Sequence, residues 1–191
     1  MMSLTLELQS ADIDLSDEQF YRLSQANRDL RLERTADGKL ILMPPTGWET
    51  GNRNSRLVQQ LGNWADADGT GLVFDSSTGF KLPNGAIRSP DAAWVKRDRL
   101  EALNPDPDKF LPLCPDFVIE LRSASDMLSD VQAKMQEYLE NGLRLGWLIN
   151  PQDQQVEVYS CDRAVQVLDS PTKLSAEPIL PGFILDLTHV L

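Results

Sequence analysis

Two hydrophobic periods run along this chain, and they mark out its elements before any other property is needed. Ser16-Asp17-Glu18-Gln19 has the spacing of a capping box and predicts a helix to about Asn27, with Phe20, Leu23 and Tyr21 on its apolar side. Residues 30–34 and 39–43 alternate with period two, and Asp37-Gly38 between them predicts a type I′ hairpin. Pro44-Pro45 stops the second strand. A loop through residues 47–51 then leads into an amphipathic helix from Asn52 to about Asp66, in which Leu57, Val58, Leu61 and Trp64 fall at helical spacing.

Short strands follow at 72–74, 80–82 and 86–88, the last two joined by Pro83-Asn84-Gly85, and residues 91–95 are expected to continue that arm beyond Pro90. Residues 97–103 predict a short helix, and the proline-rich stretch 104–113 a surface loop. Phe117-Val118-Ile119 is a run of β-formers, the pattern of a strand buried on both faces of a mixed or parallel sheet. After it, Leu128, Val131, Met135 and Tyr138 recur at three and four, a helical stripe that Asn141-Gly142 closes. Strands at 145–149, 155–159, 164–168 and 184–187 complete the pattern.

Charge enters this picture at two places. Glu120 and Arg122 interrupt the buried run and share one strand face, since side chains alternate. A carboxylate there needs a partner or a cation. Asp91 has a similar setting, because Ser89-Pro90-Asp91 and Pro115-Asp116 each open an apolar strand. Asp91 and Glu120 followed by a lysine is the donor set of a metal-dependent phosphodiesterase: two hard oxygens for Mg²⁺ and a cation for the charge that develops on phosphate. Plainer readings stand beside this one. Asp91 could be a turn residue, and Glu120 could pair with Arg122 or Lys134. Asp116 caps or turns, with a supporting role open to it on the face of Glu120. Lys134, one turn from Val131 and Tyr138, sits at the edge of the stripe and can reach inward along its stem. The four tryptophans read as core or rim.

Composition removes several alternatives. A chain of 191 residues, 41% hydrophobic, is expected to fold as a single domain over residues 1–191, with 1–29 a helical extension. No stretch reaches membrane-span length, and the first residues lack the basic and apolar regions of a signal peptide. Cys114 and Cys161 have no metal-ligand spacing and suit a reduced, cytoplasmic setting. One histidine, His189, excludes His-based zinc sites and His-dependent triads. A net charge of −11 counts against an extended nucleic-acid surface but leaves room for a few local cations.

Taken together, Ser89-Pro-Asp91, the run from Pro115 to Ser125, Lys134-Met-Gln-Glu-Tyr138, Asn141-Gly142 and Gly146-Trp-Leu-Ile-Asn-Pro151 resemble the Uma-two family of the restriction-endonuclease-like, PD-(D/E)XK superfamily. The likeness runs from about Leu30 to the C-terminus. It implies an α/β restriction-endonuclease-like fold: a mixed sheet flanked by helices, with additional N- and C-terminal strands. It also implies a Mg²⁺ (or Mn²⁺) dependent endonuclease acting on DNA, with Asp91 and Glu120 as metal ligands and Lys134 completing the catalytic set. The superfamily's lysine position, two after the glutamate, holds Arg122 here, so the resemblance implies that the lysine has moved to the next helix. Arg122, Glu49 and Asn52 are the implied substrate contacts, and a homodimer is the default assembly. The alternative is a non-catalytic nucleic-acid-binding or regulatory module on the same fold.

Overall fold

The computed structural model describes residues 4–191. The chain opens with β1 (Leu4–Leu6), which the periodicity did not predict, and a single 3₁₀ turn at Gln9–Ala11. The capping box forms as spelled: Ser16 Oγ accepts from the Gln19 amide and Gln19 Oε1 accepts from the Ser16 amide, opening α1 (Asp17–Ala26). The hairpin β2 (Arg31–Arg34) and β3 (Leu40–Met43) also forms, but its turn is not type I′. That turn would need positive φ at Asp37 as well as Gly38, and only Gly38, at 79°, has it. The tighter bonds Gly38 N→Thr35 O and Thr35 N→Lys39 O, both 3.0 Å, describe a type I turn with a bulge, which confines the left-handed conformation to the glycine.

Next comes α2 (Trp48–Asp68), four residues earlier than expected. Gly47 supplies an extended cap, and Glu49 in the first turn complements the positive end of the helix, so the chain winds through Gly51. Then follow β4 (Gly71–Asp75), the two-residue strands β5 (Phe80–Lys81) and β6 (Ile87–Arg88), β7 (Ala92–Lys96) and α3 (Arg97–Leu103). β7 does not extend β6. At Ser89-Pro90 the chain leaves one sheet and enters another, because proline cannot donate to a ladder. The rest is β8 (Phe117–Leu121), α4 (Leu128–Glu140), β9 (Leu145–Asn150), β10 (Gln155–Ser160), β11 (Arg163–Asp169), β12 (Lys173–Ser175) and β13 (Ile184–Asp186).

The main sheet has six strands in the order β11-β10-β9-β8-β7-β4. Only β8 and β9 run parallel, joined by α4, so the sheet is mixed as the buried run at 117–119 requires. A five-stranded antiparallel sheet, β1-β3-β2-β6-β5, lies apart from it, and β12 pairs with β13 near the C-terminus. The result is the expected α/β class, with a helix-flanked mixed sheet and strands at both ends.

Alternation along β8 sends its residues to two cores. Phe117, Ile119 and Leu121 meet Leu57, Leu61 and Ala65 of α2, with Trp147 and Phe183 at the centre. The Phe117 and Trp147 rings make an edge contact at 4.9 Å, and Trp147 stacks on Phe183 at 6.0 Å. Val118 faces the other way, to Met135 and Tyr138 of α4 and Leu148 of β9. Glu120, next on that face, follows it toward α4.

Candidate functional site

Glu120 is 6% exposed. Its Oε1 accepts from the Tyr138 hydroxyl at 3.1 Å and lies 2.8 Å from Lys134 Nζ. Both partners come from α4, where Lys134 and Tyr138 stand one turn apart on the side facing the strand. The lysine stem therefore does bend inward, and its ammonium is buried. A second carboxylate, Glu33 of β2, holds the same Nζ at 2.8 Å, and the Ser89 carbonyl accepts from it at 3.4 Å. Glu33 is 2% exposed, accepts from the Ser89 amide at 2.9 Å, and pairs with Arg88 at 3.1 Å. Arg88 in turn pairs with Glu137 at 2.5 Å. A continuous line of charges, Glu137, Arg88, Glu33, Lys134, Glu120, thus crosses from α4 through the second sheet and back to the central strand.

Asp91 sits where the chain changes sheets. Its Oδ2 accepts from the Leu121 amide at 2.8 Å, and its Oδ1 from Asn54 Nδ2 of α2 at 2.9 Å. Asp91 is thus bonded to the residue that follows Glu120, while Lys134 pairs with Glu120 and donates to the Ser89 carbonyl two residues before Asp91.

The two glutamates that share Lys134 behave in opposite ways. Burial pushes the Glu120 carboxyl up to about 8. Lys134 opposes this, while Asp91 and Glu33 add repulsion. Burial acts on Glu33 too, but Lys134, Arg88 and the Ser89 amide carry it below the usual carboxylate range. Asp91 is raised, chiefly by its removal from water. Lys134 is held above its ordinary value: burial disfavours its charge, and the two glutamates more than restore it. It is an ammonium at neutral pH and cannot serve there as a base.

Other predicted residues are placed elsewhere. Arg122 lies just past β8 and does not pair with Glu120. It donates to Asn150 and Asp153, both at 3.2 Å, and to the Asp126 carbonyl. Glu49 is engaged with Arg53 at 3.1 Å, and Asn52 accepts from Arg56 at 3.1 Å. With Trp48 and His189 they border a depression of about 260 Å³. The reason is helical phase: α2 begins earlier than expected, and its residue aimed at the acidic cluster is Asn54. Asp116 takes no supporting role at the site. It accepts from the Lys96 amide and pairs with Arg99 at 3.0 Å, at the start of the strand.

Sequence reasoning missed Glu33, Arg88, Tyr138 and Asn54 as members of this cluster. Asn54 carried a readable signal, since it stands three residues before Leu57 on the buried stripe. Tyr138 was readable only as core. Glu33 and Arg88 carried none: in a short alternating strand they look like a solvent face.

Among the described residues, no three Asp, Glu, His or Cys side chains form a group able to hold a metal ion by themselves. The donor chemistry nevertheless suits a small hard cation. Asp91 and Glu120 offer carboxylate oxygens, in a cluster that holds Glu33, Asp91, Glu120 and Glu137 beside Arg88 and Lys134. Mg²⁺ keeps several waters and is often bound through one or two carboxylates.

A family model described as "Uma2: Putative restriction endonuclease" matches residues 17–188. Among solved structures, a "putative nuclease belonging to DUF820" from Anabaena variabilis aligns with a TM-score of 0.71 at 18% identity, covering 83% of this chain and 88% of its own. At that identity the likeness is one of fold. No curated protein matches the chain.

Proposed function

The chain belongs to the Uma2 family of restriction-endonuclease-like nucleases, and on that premise we propose that it hydrolyses phosphodiester bonds of DNA with the help of Mg²⁺ or Mn²⁺. The observation that carries this reading is the buried Lys134 ammonium between two carboxylates, beside Asp91. Such a cluster is costly to bury and is retained most readily where charge must be stabilised.

Asp91 and Glu120 are the residues that would hold the cation. When bound, it supplies polarisation of the phosphoryl oxygen and activation of the attacking water. Water oxygen would form a bond to phosphorus and give up a proton to solvent, the ester P–O bond would break, and the departing oxygen would take up a proton from solvent. Lys134, fixed by Glu33 and Glu120, presents a pre-oriented positive charge to the phosphoryl oxygens as their negative charge grows. Its raised pKa suits a donor, so it orients water and stabilises charge without taking the water's proton. Tyr138 steadies Glu120 through its hydroxyl. Arg122 carries a fork suited to phosphate and acts as a binding contact.

Cleavage of plasmid and single-stranded DNA, with and without chelator, tests this. Chelator-sensitive cutting by the parent, lost in Glu120→Gln, is expected. One observation favours the rival reading of a non-catalytic nucleic-acid-binding or regulatory module: the net charge of −11. A parent protein that binds DNA yet leaves it intact with both Mg²⁺ and Mn²⁺ would establish that rival.

A further inference from the structure

Nucleic acid brought to this site must be held against a net charge of −11 and against the site's own carboxylates. The cations of the buried network are already engaged. Lys134 is shared by Glu33 and Glu120, and Arg88 by Glu33 and Glu137. Arg31 differs. It is exposed, its guanidinium donates to the Ser76 hydroxyl, and among the described residues it forms no ion pair. A guanidinium carries more donors than one hydroxyl can use.

Strand register fixes where that guanidinium lies. Arg31 stands two residues before Glu33 in β2 and shares its face, the face that meets Lys134. Arg34 pairs with Ile87 of antiparallel β6, so Arg31 lies toward Pro90, the residue before Asp91. In the main sheet Asp75, the last residue of β4, pairs with Ala92, so Ser76 stands at the level of Asp91. The Arg31–Ser76 bond therefore reaches from the second sheet to the rim of the first, beside Asp91. Burial raises the Asp91 carboxyl, and Arg31 is among the groups that oppose it, after the Leu121 amide and Lys134.

The same rim carries Arg122 on its other flank. β9, β8, β7 and β4 are successive neighbours; β9, β8 and β4 end at this rim and β7 begins there. Arg122 follows β8 and bonds Asn150, the last residue of β9. Arg31 lies across β7 from it, at the end of β4, so the two arginines stand on either side of Asp91. We propose that Arg31 grips a backbone phosphate of the nucleic-acid substrate on the β4 side of the site, with Ser76 holding the guanidinium in place. The inference rests on the nucleic-acid reading above. A contact of this kind recognises phosphodiester charge and carries no base sequence.

The experiment measures binding of a fluorescein-labelled DNA duplex by anisotropy over a series of salt concentrations, with chelator present so that the duplex stays whole. Arg31→Gln keeps a donor for Ser76 but loses the charge. It should bind about 10-fold more weakly than the parent. Its slope of log affinity against log salt should be shallower by about 0.9, the loss of one phosphate contact. A merely structural role would not move that slope. Arg31→Lys should restore it. Arg163→Gln removes an exposed arginine near the start of β9, at the opposite end of the sheet, and should leave affinity and slope at parental values. A parental slope in Arg31→Gln overturns the proposal, whether or not affinity falls, and so does an equal change in Arg163→Gln. If the parent cuts DNA and Arg31→Gln keeps the parental slope, only this inference falls. If the Arg31→Gln slope is shallower but the parent leaves DNA intact with Mg²⁺ and Mn²⁺, this inference stands and the cleavage reading falls. A parent with no affinity for the duplex overturns this inference, and a parent that also fails to cut overturns both.

Discussion

The two faces of the six-stranded sheet are built on different terms. The face under α2 is apolar along most of its length, with Leu57 and Leu61 over Phe117, Ile119 and Trp147 and a layer closed by Phe183, Leu174 and Leu185, and its polar exception is the Asn54–Asp91 pair at one end. The face under α4 begins the same way, with Val118, Leu148, Met135 and Tyr138. It then ends in the buried Glu120, Glu33 and Arg88 and the largely buried Lys134. Apolar burial alone holds the first face, at about 25 cal/mol per Å². Buried ion pairs at best break even against such packing. The difference teaches that packing alone does not account for the charged end of the second face, and that end is where the proposed chemistry is sited.

The strongest way to break this contrast is to damage each face in turn. Trp147→Ala should cost ~3–5 kcal/mol through the cavity it leaves. Lys134→Ala should cost a similar ~3–5 kcal/mol by leaving buried carboxylates unpaired. Denaturant unfolding reads both. Only Lys134→Ala should lower cleavage per folded molecule, by at least ~100-fold. If Trp147→Ala loses cleavage equally while still folded, the division of labour between the faces is wrong.

Cations should sharpen the contrast next. Mg²⁺ or Mn²⁺ at 100 times its dissociation constant should stabilise the parent by ~2.7 kcal/mol, leave Glu120→Gln unmoved, and release protons on binding, since Glu120 must ionise. A thermal shift of equal size in Glu120→Gln would refute the assignment.

A pH series gives a smaller signal of defined sign. The folded Glu120 carboxyl titrates at about 8, above its ordinary value, so the folded protein holds a proton that the unfolded chain has lost. Its favourable contribution is fully present below about pH 4.5 and is lost as pH rises through about 8. Without divalent ion, Glu120→Gln should therefore gain melting temperature relative to the parent as pH rises across that window. A constant difference would mean that Glu120 is already ionised throughout.

The smallest effect belongs to Arg122. Its partner Asp153 is exposed, and the buried Asn150 keeps Asp153 as a second partner, so Arg122→Ala should change stability by only ~1 kcal/mol. Steady-state cleavage should show KM rising more than kcat falls. A variant dead in kcat, beside an active Lys134→Ala, would transfer the catalytic cation to Arg122.

Legibility in the sequence followed the same division. The apolar face could be read in advance because periodicity encodes it: the stripe Leu57, Val58 and Leu61 and the run at 117–119 each name a core. Glu120 was readable because a charge inside such a run is anomalous, whereas Asp91 and Lys134 stood out chiefly through the resemblance to a family. Glu33 and Arg88 were not. Their burial depends on the second sheet docking against α4, through pairs as distant in the chain as Glu33 and Lys134, which no local pattern records. The start of α2 was placed four residues late, because residues 47–51 with their two glycines read as a loop, and the residue of α2 that bonds Asp91 is Asn54.

The order in which the network's members occur along the chain bears on synthesis. Glu33, Arg88, Asp91 and Glu120 all precede Lys134. A polypeptide emerging from the ribosome therefore displays the carboxyl groups before the ammonium that permits their burial, and before β9, the parallel neighbour of β8, exists at all. Until α4 has been made, water is the only adequate partner for Glu120. Glu33 already has Arg88 and the Ser89 amide as partners before α4 is made, so it is Glu120 that ties burial of the charged end to the synthesis of α4.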